Sequence, residues 1–217
     1  MDRSDLAHFN RDQPFSIINR VTPHWVQSGC LVFVTWRTKD SLPASAIRQI
    51  ELEMTQHRKH SNDAEDLGVK EEADLFGMSC RQFLSWNAFH LYEKYVDAGH
   101  GACLLKIPRL RSIVFDSILK FDRDRYYVTD LVIMPNHLHL LVAYPDEVGL
   151  LRQSEDWKRY TARRINQEVG RRGDFWMPGQ FDHLVRSEKQ FDFLREYIAN
   201  NPRLANLKSD EFTHYSK

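Results

Sequence analysis

Two histidines, His137 and His139, stand two residues apart in the apolar stretch DLVIMPNHLHLLVAY, residues 130–144. In a β-strand, side chains at positions i and i+2 point to the same face, so the two imidazoles would lie side by side. Neutral imidazole is the commonest nitrogen ligand of metal ions, and this pair would form half of a metal site. The alternative is that two polar residues occupy the solvated face of a half-buried strand. The pair alone does not decide between these interpretations.

Partners for such a site stand near the end of the chain, in SEKQFDFLREYIANNP. Tyr197 and Asn201 are four residues apart and therefore share one face of a predicted helix. The phenol of tyrosine has an ordinary pKa of about 10, so it needs a nearby cation to act as a nucleophilic phenolate at neutral pH. The amide oxygen of Asn201 is a suitable hard ligand for Mg²⁺ or Mn²⁺. The other interpretation is that Tyr197 is a packing residue, together with Phe193 and Leu194.

The elements that must position these residues alternate between strands and helices. The pattern predicts a strand at 29–38, helices at 44–57, about 79–97 and 108–120, strands at 126–134 and 137–144, a basic helix at about 149–169, a strand at 181–186 and a helix at 187–201. We expect the last helix to end before Pro202, because the residue before a proline disfavours helical geometry. The short corner Pro135-Asn136 predicts a hairpin. The order predicts an α+β fold, a ferredoxin-like antiparallel sheet with helices packed mainly on one face.

The 217 residues suit one folded domain. We expect an irregular N-terminal arm at 1–24, a domain at 25–207 with an acidic excursion near 58–76, and a C-terminal tail at 208–217. No apolar run approaches the roughly 20 residues of a membrane helix. The first residues, MDRSDLAHFNRDQPF, lack the apolar core of a signal peptide, so a cytoplasmic location without a membrane partner is expected. Three widely spaced cysteines fit reduced thiols better than a disulfide framework.

The formal net charge of +0 gives no overall indication of nucleic-acid binding, but the charges are unevenly distributed. Residues 152–172 are rich in arginine and lysine. If the ligand is a nucleic acid, which needs cations along its backbone, the best candidates for contacts to its phosphates are Lys158, Arg159, Arg163 and Arg164. A solvated helix face explains this segment about equally well. His183, in FDHLVR, could support the active site, contact DNA or have a structural role.

Four blocks of this chain resemble, in register, the REP-associated tyrosine transposases, which are HUH-type single-tyrosine transposases. The blocks are MPNHLHLLV, DWKRYTARRIN, FW followed by QFDHLVR, and EYIANNP. A further stretch, FHLYEKYVDAGHGACLL, is also similar, and the resemblance extends over roughly residues 25–207. HUH means His-hydrophobe-His, which His137-Leu138-His139 matches letter for letter. The chain departs from the usual pattern in its acidic segment at 58–76 and in GQFDH.

The resemblance implies a ferredoxin-like catalytic domain that cleaves and rejoins single-stranded DNA next to imperfect palindromic hairpins. It further implies a divalent metal, Mg²⁺ or Mn²⁺, bound by His137, His139 and Asn201. In the same family the tyrosine at the position of Tyr197 forms a 5′-phosphotyrosine.

Two other functions compete with this one. A domesticated relative would bind DNA hairpins without cutting them, but a pure binder has no need of all four residues of the implied active site. A zinc hydrolase built on HxH is more distant, because no HExxH motif is present. Whether the protein is a monomer or a homodimer stays open.

Overall fold

The computed structural model describes residues 1–19, 23–50, 52–53, 92–147 and 149–217. Its strands are β1 (Ser16–Asn19), β2 (Pro23–Val26), β3 (Leu31–Arg37), β4 (Tyr127–Ile133), β5 (His137–Ala143), β6 (Phe181–Leu184) and β7 (Thr213–Ser216). Its long helices are α1 (Pro108–Leu119), α2 (Gly149–Glu168) and α3 (Glu188–Leu204). Shorter helical runs cover 44–50 and 92–96, and single 3-10 turns cover Arg3–Asp5 and Leu104–Lys106. The acidic segment 58–76 and most of the helix predicted at 79–97 lie outside the described residues.

Five strands form one antiparallel sheet in the order β6-β3-β5-β4-β7. β5 pairs antiparallel with both β3 and β4, so β3 and β4 run in the same direction on either side of it. β6 pairs with the outer edge of β3. Without β7, this is the strand arrangement of the split βαβ, ferredoxin-like fold. The expected α+β fold with an antiparallel sheet is confirmed.

The two faces of the sheet carry separate hydrophobic cores. Side chains alternate along a strand, and the even-numbered apolar residues of β3 and β5 pack with α1 and α2. The odd-numbered apolar residues of β3 pack with α3 on the other face. Two of the three long helices therefore share one face, and α3 covers the face toward which His137 and His139 point. Because both faces are covered, β4 and β5 are buried along their whole length.

The hairpin predicted at Pro135-Asn136 is confirmed, and neighbouring segments hold its corner in place. The corner closes with a hydrogen bond from Met134 N–H to the carbonyl of His137 at 2.9 Å. The carbonyl of Pro135 accepts from Leu105 N–H at 3.1 Å, and that of Asn136 accepts from Thr38 N–H at 2.7 Å. The start of β5 is therefore fixed in position, which matters because His137 is its first residue.

The N-terminal arm is more ordered than predicted. β1 and the first half of β2 lie in the segment 1–24 that was expected to be irregular, and these two strands pair antiparallel. The rings of Phe9, Phe15 and Trp25 pack together, with Phe15 stacked on Trp25 at 5.4 Å. These aromatic residues follow no strand or helix period along the chain, so pattern reasoning could not detect the cluster. No helix among the described residues is long and apolar enough to cross a membrane.

The C-terminal boundary of the domain also differs from the prediction. α3 continues through Pro202 to Leu204, although the sequence predicted its end at 201. Proline removes one backbone donor, but helical bonding resumes with Ala205 N–H donating to the Asn201 carbonyl at 3.1 Å, and Pro202 itself is buried. The predicted tail supplies β7, which pairs with β4. Arg195 of α3 ties this edge strand down by donating to the carbonyl of Lys217 at 2.7 Å.

Candidate metal and tyrosine site

The two histidines of β5 lie side by side on the α3 face of the sheet. Both side chains are fully buried, so the alternative of a solvated strand face is wrong. Their ring centroids are 4.9 Å apart with an interplanar angle of 70°. Two imidazoles at this spacing can bind one ion. Burial lowers the pKa of His137 to about 3, although the charge of Glu93 acts in the opposite direction, so this imidazole is neutral at physiological pH.

Each imidazole is oriented through its Nδ1 atom. The side-chain amide of Asn136 donates to two backbone carbonyls of the 96–100 turn, so its Oδ1 accepts from His137 Nδ1–H at 2.8 Å. Thr35 Oγ1 lies 2.8 Å from His139 Nδ1. Metal-binding histidines are commonly held in this way, with the second ring nitrogen bonded to an oxygen. For His137 the arrangement leaves the Nε2 lone pair available to a ligand.

A third group, the carboxylate of Glu93, reaches the same point from the 92–96 helical run. Its Oε2 lies 2.9 Å from His139 Nε2 and 3.9 Å from His137 Nε2. One ligand atom from each of the three residues lies within 4.8 Å of the others. Ligands about 2.1 Å from an ion are roughly 3.0 Å apart at right angles and roughly 3.4 Å at the tetrahedral angle. The three groups therefore have the spacing and chemistry of a cation site.

Glu93 was not among the site residues chosen from the sequence. The available signal was FHLYEKYVDAGHGACLL, one of the blocks that carry the resemblance, in which Glu93 and Asp97 are one helical turn apart. Asp97 Oδ1 lies 3.4 Å from His137 Nε2. Burial, and then the charge of Glu93, raise the pKa of Asp97 to about 7. Burial also disfavours the charge of Glu93, but His139, His137 and Tyr197 together hold the pKa of Glu93 below its ordinary value.

Tyr197 is brought to the site by the packing of α3. The Ser187 side chain caps this helix by accepting from Gln190 N–H. The apolar stripe of α3, formed by Phe191, Leu194 and Ile198, packs on the odd-numbered apolar residues of β3. The Tyr197 ring lies 5.2 Å from that of His139, and its hydroxyl donates to Glu93 Oε2 at 3.3 Å. Burial, followed by the charges of Glu93 and Asp97, raises the pKa of Tyr197 far above its ordinary value. Without a cation, the phenol therefore stays protonated.

Asn201 lies one turn further along α3 and is fully buried. Its amide oxygen and nitrogen form no aligned hydrogen bond within the described part of the chain. The amide is nevertheless close enough to affect its neighbours, since it opposes the effect of burial on the pKa of both His137 and Tyr197. Buried polar groups are normally satisfied, so an amide in this state fits a ligand position. Its predicted role as a metal ligand stays a prediction.

The basic residues predicted to contact DNA lie on the other side of the sheet. Trp157 of α2 packs on Trp36, whereas Tyr197 packs on Phe33, and these two β3 side chains point to opposite faces. On α2, Arg159 and Arg163 are exposed, and Arg159 pairs with Asp156; Arg164 lines a cavity of about 390 Å³ between α1 and α2. The structure does not bring these arginines to the histidine pair.

Lys158 has a different environment from the α2 arginines. Its ammonium group donates to the backbone carbonyls of Met177 and Gly179. Burial lowers its pKa to about 8. The side chain therefore holds the loop before β6, and its predicted contact with DNA would require these bonds to be exchanged.

His183 of β6 is held in a polar network. Its Nε2 accepts from Arg186 Nη1 at 2.7 Å and from Gln190 Nε2 at 2.9 Å. Burial, and then the charge of Arg186, lower the pKa of His183 to about 3. Its partner across the strands, Phe33, stacks on His139 with ring centroids 5.4 Å apart. A supporting role for His183 in the active site remains a prediction, and Phe33 is the contact through which it would act.

Comparison with known proteins adds three similarities. Residues 108–201 match the family described as IS200-like transposase, and this segment contains His137, His139, Tyr197 and Asn201. An uncharacterized protein of Haemophilus influenzae is 29% identical over 98 residues, which covers 36% of this chain and 54% of the relative, so the chain spans about half the length of this curated relative. A solved structure of a REP-associated tyrosine transposase bound to a REP hairpin is similar at 15% identity and a TM-score of 0.40, covering 83% of this chain and 71% of that one.

Proposed function

The match of residues 108–201 to the IS200-like transposases confirms the resemblance found in the sequence, and from it we propose that this protein is a metal-dependent nuclease and strand transferase. It would cleave and rejoin single-stranded DNA next to palindromic hairpins through a covalent 5′-phosphotyrosine. One observation carries the proposal. The hydroxyl of Tyr197 contacts the carboxylate of Glu93, and that carboxylate contacts the imidazole of His139.

The metal would be held by His137, His139 and Glu93, with Asn201 as a further ligand. Imidazole nitrogens combined with carboxylate and amide oxygens suit Mn²⁺, and the oxygen ligands suit Mg²⁺. When bound, such an ion neutralises charge on the phosphoryl oxygens and orients the phosphate for in-line attack. The donor set differs from the three residues predicted from the sequence by one carboxylate, Glu93.

Tyr197 would act as the nucleophile. Its oxygen forms a bond to phosphorus, and the bond from phosphorus to the 3′ oxygen breaks, which leaves a free 3′-OH and a 5′-phosphotyrosine. The phenol proton leaves toward a neighbouring carboxylate, and Glu93 already accepts the hydrogen bond of the hydroxyl. Because the phosphodiester energy is retained in the covalent intermediate, a 3′-OH can reverse the reaction and rejoin strands without ATP.

The test is covalent capture of DNA. Synthetic hairpins with single-stranded flanks, taken from the genomic DNA around the gene and labelled on the 3′ side of the cut, are incubated with protein and Mn²⁺. They are then run on a denaturing gel. We expect the label to travel with the protein, and to be lost in Tyr197→Phe, which keeps the ring but removes the attacking oxygen.

A matched control is Tyr215→Phe, since Tyr215 is also a partly buried tyrosine but lies in the edge strand β7. This variant should capture DNA like the parent. Cleavage by Tyr197→Phe at the parent's rate would identify water as the nucleophile and contradict the proposal. A parent protein that binds the hairpins but cuts none of them would instead be the non-catalytic hairpin binder.

A further inference from the structure

We propose that Arg37 binds a phosphate of the DNA strand beside the metal site, as a guanidinium clamp on the same face of the sheet as the two histidines. The residue lies outside the segment that matches the transposase family. The inference rests on the proposed function, because it names a further group that would hold the substrate of that same site.

The pairing of β3 with β5 places Arg37 next to the site. In this register Arg37 is opposite His137, and Thr35 is opposite His139. The contact between Thr35 Oγ1 and His139 Nδ1, at 2.8 Å, shows that these opposed side chains share a face. Because side chains alternate along a strand, Arg37 emerges on the same face two residues further on.

Among the described residues, the Arg37 guanidinium is held through one of its nitrogens. Its Nη1 donates to Ser41 Oγ at 3.2 Å, and the buried Ser41 hydroxyl donates in turn to the Thr38 carbonyl at 2.8 Å. Within the described ranges, no other hydrogen bond of the five guanidinium N–H donors is formed. The side chain is only partly buried. A planar guanidinium suits a phosphate, which it can bind through two parallel hydrogen bonds.

Electrostatics favour a cation at this position. Burial lowers the pKa of Arg37, whereas the charges of Tyr92 and Glu93 act to raise it, so the guanidinium is within electrostatic reach of the Glu93 carboxylate. During the proposed reaction, the phosphodiester carries one negative charge, and Glu93 and the Tyr197 oxygen share a second, because the phenol proton moves between them. Arg37 supplies a positive charge on the same face as this phosphate, in a partly desolvated place where charge pairs interact strongly.

The experiment is a double-perturbation cycle between Arg37 and single phosphates. The probe is the oligonucleotide, from the same set of hairpins with flanks, that binds the Tyr197→Phe protein most tightly in Mn²⁺, so that the assay does not depend on cleavage. Each phosphate of its single-stranded flank is replaced in turn by a neutral methylphosphonate. Affinities are measured by fluorescence anisotropy for Tyr197→Phe alone and combined with Arg37→Gln, Arg37→Lys or Lys39→Gln.

We expect one flank position at which the neutral linkage weakens binding about ten- to one-hundred-fold, as for a charge-assisted hydrogen bond. Arg37→Gln should weaken binding of the unmodified probe by a similar factor and make the protein insensitive to the neutral linkage at that position. Arg37→Lys should recover part of the loss, because it keeps the charge but not the fork. Lys39→Gln removes a charge two residues away, on a side chain paired with Asp174 at 2.6 Å, and should leave the sensitivity unchanged.

If the losses from Arg37→Gln and from the neutral linkage multiply at every position, Arg37 contacts no flank phosphate and the inference fails. This result leaves covalent capture by Tyr197 intact, so the two proposals can fail separately. Unchanged circular dichroism and unchanged Mn²⁺ affinity of Arg37→Gln exclude misfolding as the cause of a loss. If no probe binds with a Kd below about 10 μM, equivalent to about 7 kcal/mol, both proposals fall.

Discussion

Asp97 and Glu93 are two carboxyl groups, one helical turn apart, that should affect the free energy of unfolding in opposite directions. Burial, and then the charge of Glu93, raise the pKa of Asp97 from 3.8 to about 7. Glu93 is also buried, but its contacts with His139, His137 and Tyr197 hold its pKa below its ordinary value. Replacing each carboxylate by its amide, in metal-free protein, therefore tests the electrostatics of the site.

For Asp97, the sign of the change in the free energy of unfolding with pH depends on whether the folded or the unfolded chain holds the proton more tightly. Below about pH 4 the carboxyl is protonated in the folded and in the unfolded chain, so it adds no pH dependence. Between about pH 4 and 7 only the folded chain keeps the proton, so the free energy of unfolding falls as the pH rises. Three pKa units correspond to about 4 kcal/mol. Because the shift is shared with Glu93 and 23% of the side chain is exposed, we expect on the order of 2 kcal/mol.

Asp97→Asn should therefore raise the free energy of unfolding by about 2 kcal/mol at pH 8 and leave it nearly unchanged at pH 4. Glu93→Gln should do the reverse, with a loss at pH 8 that shrinks as the pH falls through the pKa of the carboxylate. The assay is urea unfolding in EDTA, followed by circular dichroism. Asp116→Asn, on the exposed side of α1, is the neutral control. Equal effects of Asp97→Asn at both pH values would refute the assigned electrostatics.

Three further outcomes are expected. The double substitution His137→Ala and His139→Ala should abolish Mn²⁺ binding in calorimetry without unfolding the protein, and unchanged affinity would show that the ligands lie elsewhere. Asn136→Ala should lower Mn²⁺ affinity about ten- to one-hundred-fold, because the outer groups that orient metal-binding histidines contribute this much; an effect on unfolding alone would assign Asn136 to the hairpin corner only. Charge reversal at Arg163 and Arg164 should reduce the salt dependence of hairpin binding, since fewer counterions are released. A salt slope equal to that of the parent would remove α2 from the DNA interface.

The part of the site that the sequence predicted is the part that local periodicity determines. His137 and His139 share a face because strand side chains alternate, and Tyr197 and Asn201 share a face because a helix turns every 3.6 residues. Both relations can be read within five residues of chain. The contact between the histidine pair and Tyr197 depends on the packing of α3 against the sheet. The resemblance implied this packing, whereas periodicity alone did not.

The features that were missed depend on contacts between distant segments. Glu93 reaches the histidines because the 92–96 helical run lies over the start of β5, and nothing in its own neighbours in the chain indicates this. β7 is a strand of four residues with a polar sequence, held at the sheet edge by Arg195. Lys158 is one cation in a basic helix, yet two loop carbonyls engage it. Each outcome is set by a tertiary partner, which composition does not reveal.

The separation of the two faces constrains how one DNA molecule could use both. Tyr197 packs against Phe33 on the face of the sheet that α3 covers, and Trp157 of α2 packs against Trp36 on the opposite face. Packed layers lie about 10 Å from one another, so the proposed nucleophile and the exposed arginines of α2 are separated by roughly 20 Å or more. At a rise of about 3.4 Å per nucleotide, this distance corresponds to about six nucleotides along a strand. Any phosphates bound by α2 would therefore lie away from the proposed cleavage point, around the edge of the sheet, whereas the proposed Arg37 contact is to a phosphate next to that point.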